Sequence, residues 1–385
     1  MDTLLDIRNH VAFLTLNRPA ALNALSFEML GELAAMLRAC ADDPAIYAVL
    51  IQGAGEKAFC AGGDLRAIYR SYQDGEPLHE RFFEDEYRLD YFLHRYPKPY
   101  VAVMDGIVMG GGMGIAQGAG LRIVGERTRM AMPEVGIGLF PDVGASYFLP
   151  RLPGSLGAYL ALTGTTLGAA DALYAELADV HLPRSAVMRL VAAVETISWG
   201  ETPPADLELA IRKLAVDEPP PGPPPGPPPG PPQGAAHGPR DLSLSALRPA
   251  IDAHFGQATV AGILDSLSRE ARPEFADWAG QTARLMQSRS PLRSAVTLAQ
   301  LERGKALTLA QCFRMELGMV REAFARGEFI EGIRALIIDK DNTPRWRPAR
   351  REAVTEAMVE AFFREWWPDA SSHPLGSLES DYGSA

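Results

Sequence analysis

The chain has 385 residues, 47 % of them hydrophobic and 22 % charged, an ordinary globular composition long enough for one large domain with an extension or for two domains. Its formal net charge of −11 argues against nucleic acid or an acidic membrane surface as the main partner, while leaving room for a local basic patch that holds a small anion. Three cysteines, Cys40, Cys60 and Cys312, show no CxxC spacing and are too few for a disulfide framework, which points to a reducing compartment.

The first residues, "MDTLLDIRNH", lack the basic and apolar segments of a secretory signal and the Arg- and Ser-rich character of a transit peptide, so a cytoplasmic location is expected. "VAFLTL" (11–16) reads as a strand. After the loop "NRPAALNALS", the residues Met29, Leu30, Leu33, Met36 and Leu37 recur at helical spacing, with Ser26 as a candidate N-cap and Glu28 in the first turn. "YAVLIQG" (47–53) reads as a buried strand, 78–95 as a helix and "YVAVMDG" (100–106) as a third strand. A helix is expected to start within "MGGGMG" (109–114), followed by short strands at 121–126 and 129–132. Strands alternating with helices predict an α/β class. The apolar region 100–124 is broken by Asp105 and many glycines, so no membrane span is expected. At 216–240 the proline-rich run "VDEPPPGPPPGPPPGPPQGAAHGPR" excludes helix and sheet interior. It is either a low-complexity insertion or a ligand for an aromatic-lined groove. Beyond it, 241–370 reads as mostly helical, with a strand-like "IRALIID" at 333–339.

Two glycine-rich turns each follow a strand, "CAGGD" (60–64) and "MGGGMG". Glycine lets the main chain approach a ligand closely, and converging peptide N–H groups make an oxyanion hole. The same glycines would also permit close strand–helix packing and nothing more. In "MPEVGIGLFPDVGASYFLPRLPG" (132–154), Glu134 and Asp142 each follow a proline among apolar residues. They are either turn acids on the surface or acids tuned for proton transfer or nucleophilic work. No glycine cluster spells GxGxxG or a P-loop, no histidine pair has HExxH spacing, and "PGSLG" (153–157) misses the nucleophile elbow, so no dinucleotide, nucleotide or metal site is expected. Cys60 lies in the first turn without an adjacent histidine to activate it. Trp346, Trp366 and Trp367 read as core or interface anchors.

"NRPAALNALS", "KAFCAGGDL", "KPYVAVMDGIVMGGGMGI" and "MPEVGIGLFPDVGASYFLPRLPG" together resemble the enoyl-CoA hydratase/isomerase (crotonase) superfamily. Within it, "GLFPDVGASYFLPRLPG", "FFEDEYRLDYFLHRYPKPYVA" and the tail "EFIEGIRALIIDKDNTPRWRP" are similar to the 3-hydroxyisobutyryl-CoA hydrolase branch. The resemblance covers nearly the whole chain except roughly 195–245. It implies a spiral of ββα units over 1–190, a variable segment with the proline-rich insert over 191–245, and a mainly helical region over 246–385 that packs on the core. It further implies thioester hydrolysis of a short 3-hydroxyacyl-CoA, with oxyanion amides from Gly63 and Gly111 and catalytic roles for Glu134 and Asp142. Glu86 would lie near the acyl pocket. Arg18 and Ala24 would line the CoA entrance, and Ala61 and Gly62 would present main-chain carbonyls to the adenine. No metal or separate cofactor is implied, because CoA is part of the substrate, and a homo-oligomer is common among such proteins. Hydratases of this superfamily set a second glutamate just after the glycine run; Gly114 stands there in this chain, so hydration is poorly equipped. The alternatives are an enoyl-CoA hydratase or isomerase, and a non-catalytic acyl-CoA-binding protein whose mark would be loss of Glu134.

Overall fold

The computed structural model describes residues 1–215, 242–369 and 371–383, so the proline-rich tract lies outside the described residues. The chain forms two compact units that it visits alternately. The first holds residues 1–63, 89–130 and 167–215, and the second holds 64–88, 131–166 and the residues from 242 onward.

The first unit is built on a six-stranded sheet. Its strands are β1 (Thr3–Arg8), β2 (Val11–Leu16), β3 (Ala48–Gly53), β5 (Tyr100–Met104), β7 (Leu121–Val124) and β9 (Val180–His181), in that spatial order. β1 pairs antiparallel with β2 through a tight reversal at Asn9 and His10, both with positive φ. Every later neighbour is parallel, in registers such as Val11↔Ala48, Leu50↔Val101 and Val101↔Leu121. Parallel strands need crossovers and bury both faces, which is why "VAFLTL" and "AVLIQG" are nearly continuous apolar runs. One face presents Val11, Phe13, Ala48, Leu50, Val101, Val103 and Ile123 to Leu190, Val194, Leu207 and Ile211 of the helices Leu190–Glu195 and Pro203–Arg212. The segment just before the proline tract therefore completes the core of the sheet.

Three times, a strand of this sheet is followed within a few residues by a strand of a second, three-stranded sheet: β4 (Ala58–Cys60), β6 (Ile107–Met109) and β8 (Arg129–Ala131). This is the repeated ββα pattern. The helix α1 (Phe27–Asp42) starts at Ser26, whose hydroxyl accepts from the Met29 amide, and buries Met29, Leu30, Leu33, Leu37 and Cys40. The helices α2 (Leu65–Asp74) and α3 (Leu78–His94) follow β4, and α4 (Gly111–Gln117) follows β6.

The second unit is helical. Its long helices begin at residues made for that place: Ser243, Thr259, Ser290 and Thr308 each cap with a side-chain oxygen, and Pro273 and Pro291 occupy the first helical position. Thr308 and Gln311 complete a capping box for the helix Leu309–Arg326. The strand expected at 333–339 is a correction: Glu328–Ile333 is α-helical and Arg334–Ile338 continues it as a π-turn. Branched apolar residues suggested extended chain there, but Phe329, Ile330, Ile333 and Leu336 fall on one helical face and are buried. Arg334 also ties the segment to Glu331, Asp339 and Asp341. No helix among the described residues is long and apolar enough to cross a membrane.

Candidate active site

The two glycine-rich turns of the sequence meet within the first unit. β4 and β6 are parallel neighbours, so the chain leaves both strands on the same side. Gly62 takes φ +97, and a Cβ there would lie 3.1 Å from the Met109 carbonyl and 3.5 Å from the Gly111 amide nitrogen. Gly63 bridges to Leu25, whose amide donates to the Gly62 carbonyl at 2.8 Å. Gly111 is the first residue of α4, where amides have no partner inside the helix, and its N-cap Gly110 supplies no side chain. The geometry thus brings the Gly63 and Gly111 main chains into one neighbourhood beside a helix start, an arrangement suited to holding a carbonyl oxygen that gains charge. The packing role of the glycines is present too: a Cβ on Gly112 would sit 2.5 Å from the Cys60 carbonyl oxygen. Gly112→Ala is expected to lower stability by about 2–4 kcal/mol, read as a lower urea midpoint at unchanged slope, because backbone on both sides has no room to yield.

The residues read as CoA contacts lie in the same unit. Arg18 donates to the Ala24 carbonyl at 2.7 Å, its amide bonds the Asn23 side chain at 3.0 Å, and its Nε lies 3.4 Å from Asp2. Ala61 donates its amide to Leu22 at 3.1 Å. Arg18, Ala24, Ala61 and Gly62 therefore share one loop cluster, held by the buried Asn23, which donates to Ala54 and Ala58. Cys60 is buried, with its Sγ 3.5 Å from the Gly62 amide.

The carboxyl groups gather in the second unit. Glu86 sits on the part of α3 that belongs to it, three and four residues after Phe83 and Phe82, and so faces inward while Asp85 faces water. Glu134 opens a single 3-10 turn, Glu134–Ile137, and Asp142 follows eight residues later. Glu86, Glu134 and Asp142 are only 2, 5 and 4 % exposed, so Glu134 and Asp142 are not turn acids on the surface. Burial, and after it the charges of Asp142 and Glu134, hold Glu86 well above the ordinary carboxyl range. Glu134 is likewise raised by burial and then by Asp142, against a pull from its own backbone. Asp142 rises only to about 6: burial pushes it up, while the Tyr87 hydroxyl, which donates to its Oδ2 at 2.7 Å, and its own backbone pull it down. Oxygens of Glu86 and Glu134 are buried without a hydrogen-bond partner among the described residues. Three acids together, one held lower than the others, can divide proton donation from proton acceptance.

Two residues of this cluster escaped the sequence reading. Tyr87 adjoins Glu86, but nothing local marks its bond to a residue 55 positions away. Glu316 accepts the amides of Gly144 at 2.8 Å and Ser146 at 2.9 Å, and burial pushes its carboxyl up to about 8 against the pull of the Ser146 and Gly144 hydrogen bonds. A signal for it was available: an acid in the apolar stripe Leu309, Phe313, Leu317 and Val320 is a buried acid. Between Asp142 and these amides, Val143 takes φ +53, a conformation that costs a β-branched residue of order 1–3 kcal/mol and persists only where surroundings dictate it. Among the described residues no group of His, Cys, Asp and Glu is arranged to hold a metal ion.

The sequence profile of the enoyl-CoA hydratase/isomerase family matches residues 11–363. Among curated proteins, the chain is 36 % identical over 363 residues to the mitochondrial 3-hydroxyisobutyryl-CoA hydrolase of Gallus gallus, covering 94 % of this chain and 89 % of that protein. It is 37 % identical over 369 residues to 3-hydroxyisobutyryl-CoA hydrolase 1 of Arabidopsis thaliana, covering 94 % and 91 %. Among solved structures, a carnitinyl-CoA dehydratase from Mycobacterium thermoresistibile matches with a TM-score of 0.82 at 38 % identity, covering 96 % of this chain and 98 % of the other. An enoyl-CoA hydratase from Rhodobacter sphaeroides 2.4.1 matches with a TM-score of 0.79 at 34 % identity, over 95 % and 98 %.

Proposed function

From the premise that the chain belongs to the enoyl-CoA hydratase/isomerase family, we infer that it is a hydrolase of 3-hydroxyisobutyryl-CoA, producing 3-hydroxyisobutyrate and CoA in valine breakdown. The observation that carries the mechanism is the buried Glu134, set beside Asp142 and Glu86, in a chain with glycine at position 114. In this reading the Gly63 and Gly111 amides take the thioester carbonyl oxygen as it gains charge. Glu134 serves the carbonyl carbon by one of two routes. Its carboxylate attacks the carbon, CoA leaves as a thiol after taking up a proton, and water then hydrolyses the acyl–glutamyl anhydride. Alternatively Glu134 takes a proton from water, and the hydroxide attacks. Isotopic oxygen from water enters Glu134 only by the first route. A carboxylate held above its ordinary range is a stronger base and nucleophile once ionised, which suits either. Asp142 holds the substrate's 3-hydroxyl or hands the proton to departing CoA. Glu86 borders the acyl group, and the cluster of Arg18, Ala24, Ala61 and Gly62 receives the CoA moiety. The scheme needs no resident metal or cofactor.

One observation favours a second reading, hydration of an enoyl-CoA: Glu86 brings another carboxyl to Glu134 from α3, although none stands at 114. A thiol-reactive dye separates the two. The purified protein is expected to release free CoA from 3-hydroxyisobutyryl-CoA and to leave the absorbance of crotonyl-CoA unchanged. The opposite pattern would establish the hydratase, and activity on neither ester a binding protein. We propose a cytoplasmic location, in keeping with three buried free cysteines, whereas the chicken relative carries a mitochondrial name. Assembly into a homo-oligomer is proposed from family membership.

A further inference from the structure

The turn that carries Asp142 is gripped from below by two helices of the same unit. On the helix Pro291–Gly304, Gln300 donates to the Pro141 carbonyl at 2.6 Å and to the Ser146 hydroxyl at 2.8 Å. A Cβ on Gly304 would stand 1.9 Å from the Ser146 carbonyl, so this helix lies directly against the turn. On the helix Leu309–Arg326, Glu316 takes the Gly144 and Ser146 amides with one oxygen each, and the Ser146 hydroxyl bonds it as well. Gln300, Ser146 and Glu316 are fully buried, as a structural frame requires. Between the two gripped ends stand Asp142 and the strained Val143. A strained turn relaxes when its restraints are removed, and relaxation here would swing Asp142 away from the Tyr87 hydroxyl. The titratable groups that face Glu316 are Asp142, Tyr87 and Cys312.

We propose that Glu316 is a positioning residue that acts through the 141–146 turn to hold Asp142 in the carboxyl cluster, with Gln300 securing the same turn. The proposal rests on the hydrolase reading of Asp142. Its test is a double-mutant cycle. Glu316→Gln replaces one acceptor oxygen by an N–H donor, so one of the two amides loses its partner. It is expected to lower kcat about 10- to 100-fold with KM changed less than about threefold. In the Asp142→Asn background, followed by single turnover with enzyme in excess, the further loss is expected to be under about twofold, because the residue being aimed is already disabled. Equal losses in both backgrounds, an unchanged kcat, or a change confined to KM would each overturn the positioning role. Should Glu316→Gln fail to fold, Gln300→Met enters the same cycle, with an expected coupled loss of about 3- to 10-fold and the same overturning results. If Asp142→Asn alone leaves kcat unchanged, the reading of Asp142 falls and this inference with it. If Asp142→Asn is impaired and the losses multiply independently, the inference alone falls.

Discussion

Glu134→Gln is expected to lower kcat for 3-hydroxyisobutyryl-CoA by about 10³-fold or more while the ester still binds within about threefold of the wild-type affinity. The substitution keeps the shape of the side chain and removes its capacity to attack carbon or accept a proton. The glycine turns and the loop cluster around Asn23 lie in the other unit and are untouched, so the groups read as oxyanion and CoA contacts stay in place. Loss should therefore fall on kcat. The fold should not suffer, since burying an amide costs less than burying a carboxylate, and Glu134 sits 5 % exposed with an unpartnered oxygen. The measurement is steady-state kinetics beside calorimetric titration with the substrate. Turnover within tenfold of wild type would remove Glu134 from the reaction.

The carboxyl cluster is expected to make the protein less stable as pH rises through the acid range. The folded state raises Asp142 from 3.8 to about 6 and raises Glu86 and Glu134 as well. Between those values the folded protein keeps a proton that the unfolded chain has released, so the unfolding free energy falls with increasing pH. For Asp142 the favourable term is complete below about pH 4, where both states are protonated, and is lost once pH has passed about 6. For Asp142 this amounts to about 3 kcal/mol. Salt-bridged acids elsewhere, such as Asp341 beside Arg334, act in the opposite sense at lower pH, so the comparison must be with a variant. Asp142→Asn keeps an acceptor for the Tyr87 hydroxyl and removes the charge. Relative to wild type, its stability advantage should be near zero at pH 4 and about 1–3 kcal/mol at pH 7, read from urea midpoints. A difference that does not change with pH would mean that Asp142 is not held above its ordinary range. The same acids that reduce stability are those assigned to the reaction, as expected where function is bought with buried charge.

The strands "VAFLTL", "YAVLIQG" and "YVAVM", the N-cap at Ser26 and the helix 78–95 were legible because each is a local matter of period and capping. Short strands such as Ala58–Cys60 and Ile107–Met109 were not read as strands, since each is a three-residue piece that runs straight into a glycine-rich turn. The candidate site was legible as far as its motifs reach: the two glycine turns, the acids after Pro133 and Pro141, and the missing carboxyl at Gly114. Resemblance alone singled out Glu86 from the acidic run, although its spacing from Phe82 and Phe83 also places it inward.

Composition, period and motif by themselves thus determined the α/β class and the glycine turns and marked Glu134 and Asp142 as candidate acids, because those properties belong to neighbouring residues. Tertiary structure alone decided that Tyr87 meets Asp142, that Glu316 and Gln300 hold its turn, and that 333–338 is helical rather than extended. The physical reason is separation along the chain. A hydrogen bond between residues 55 or 172 positions apart leaves no mark in local spacing, and burial of one helical face outweighs the modest preference of isoleucine for a strand.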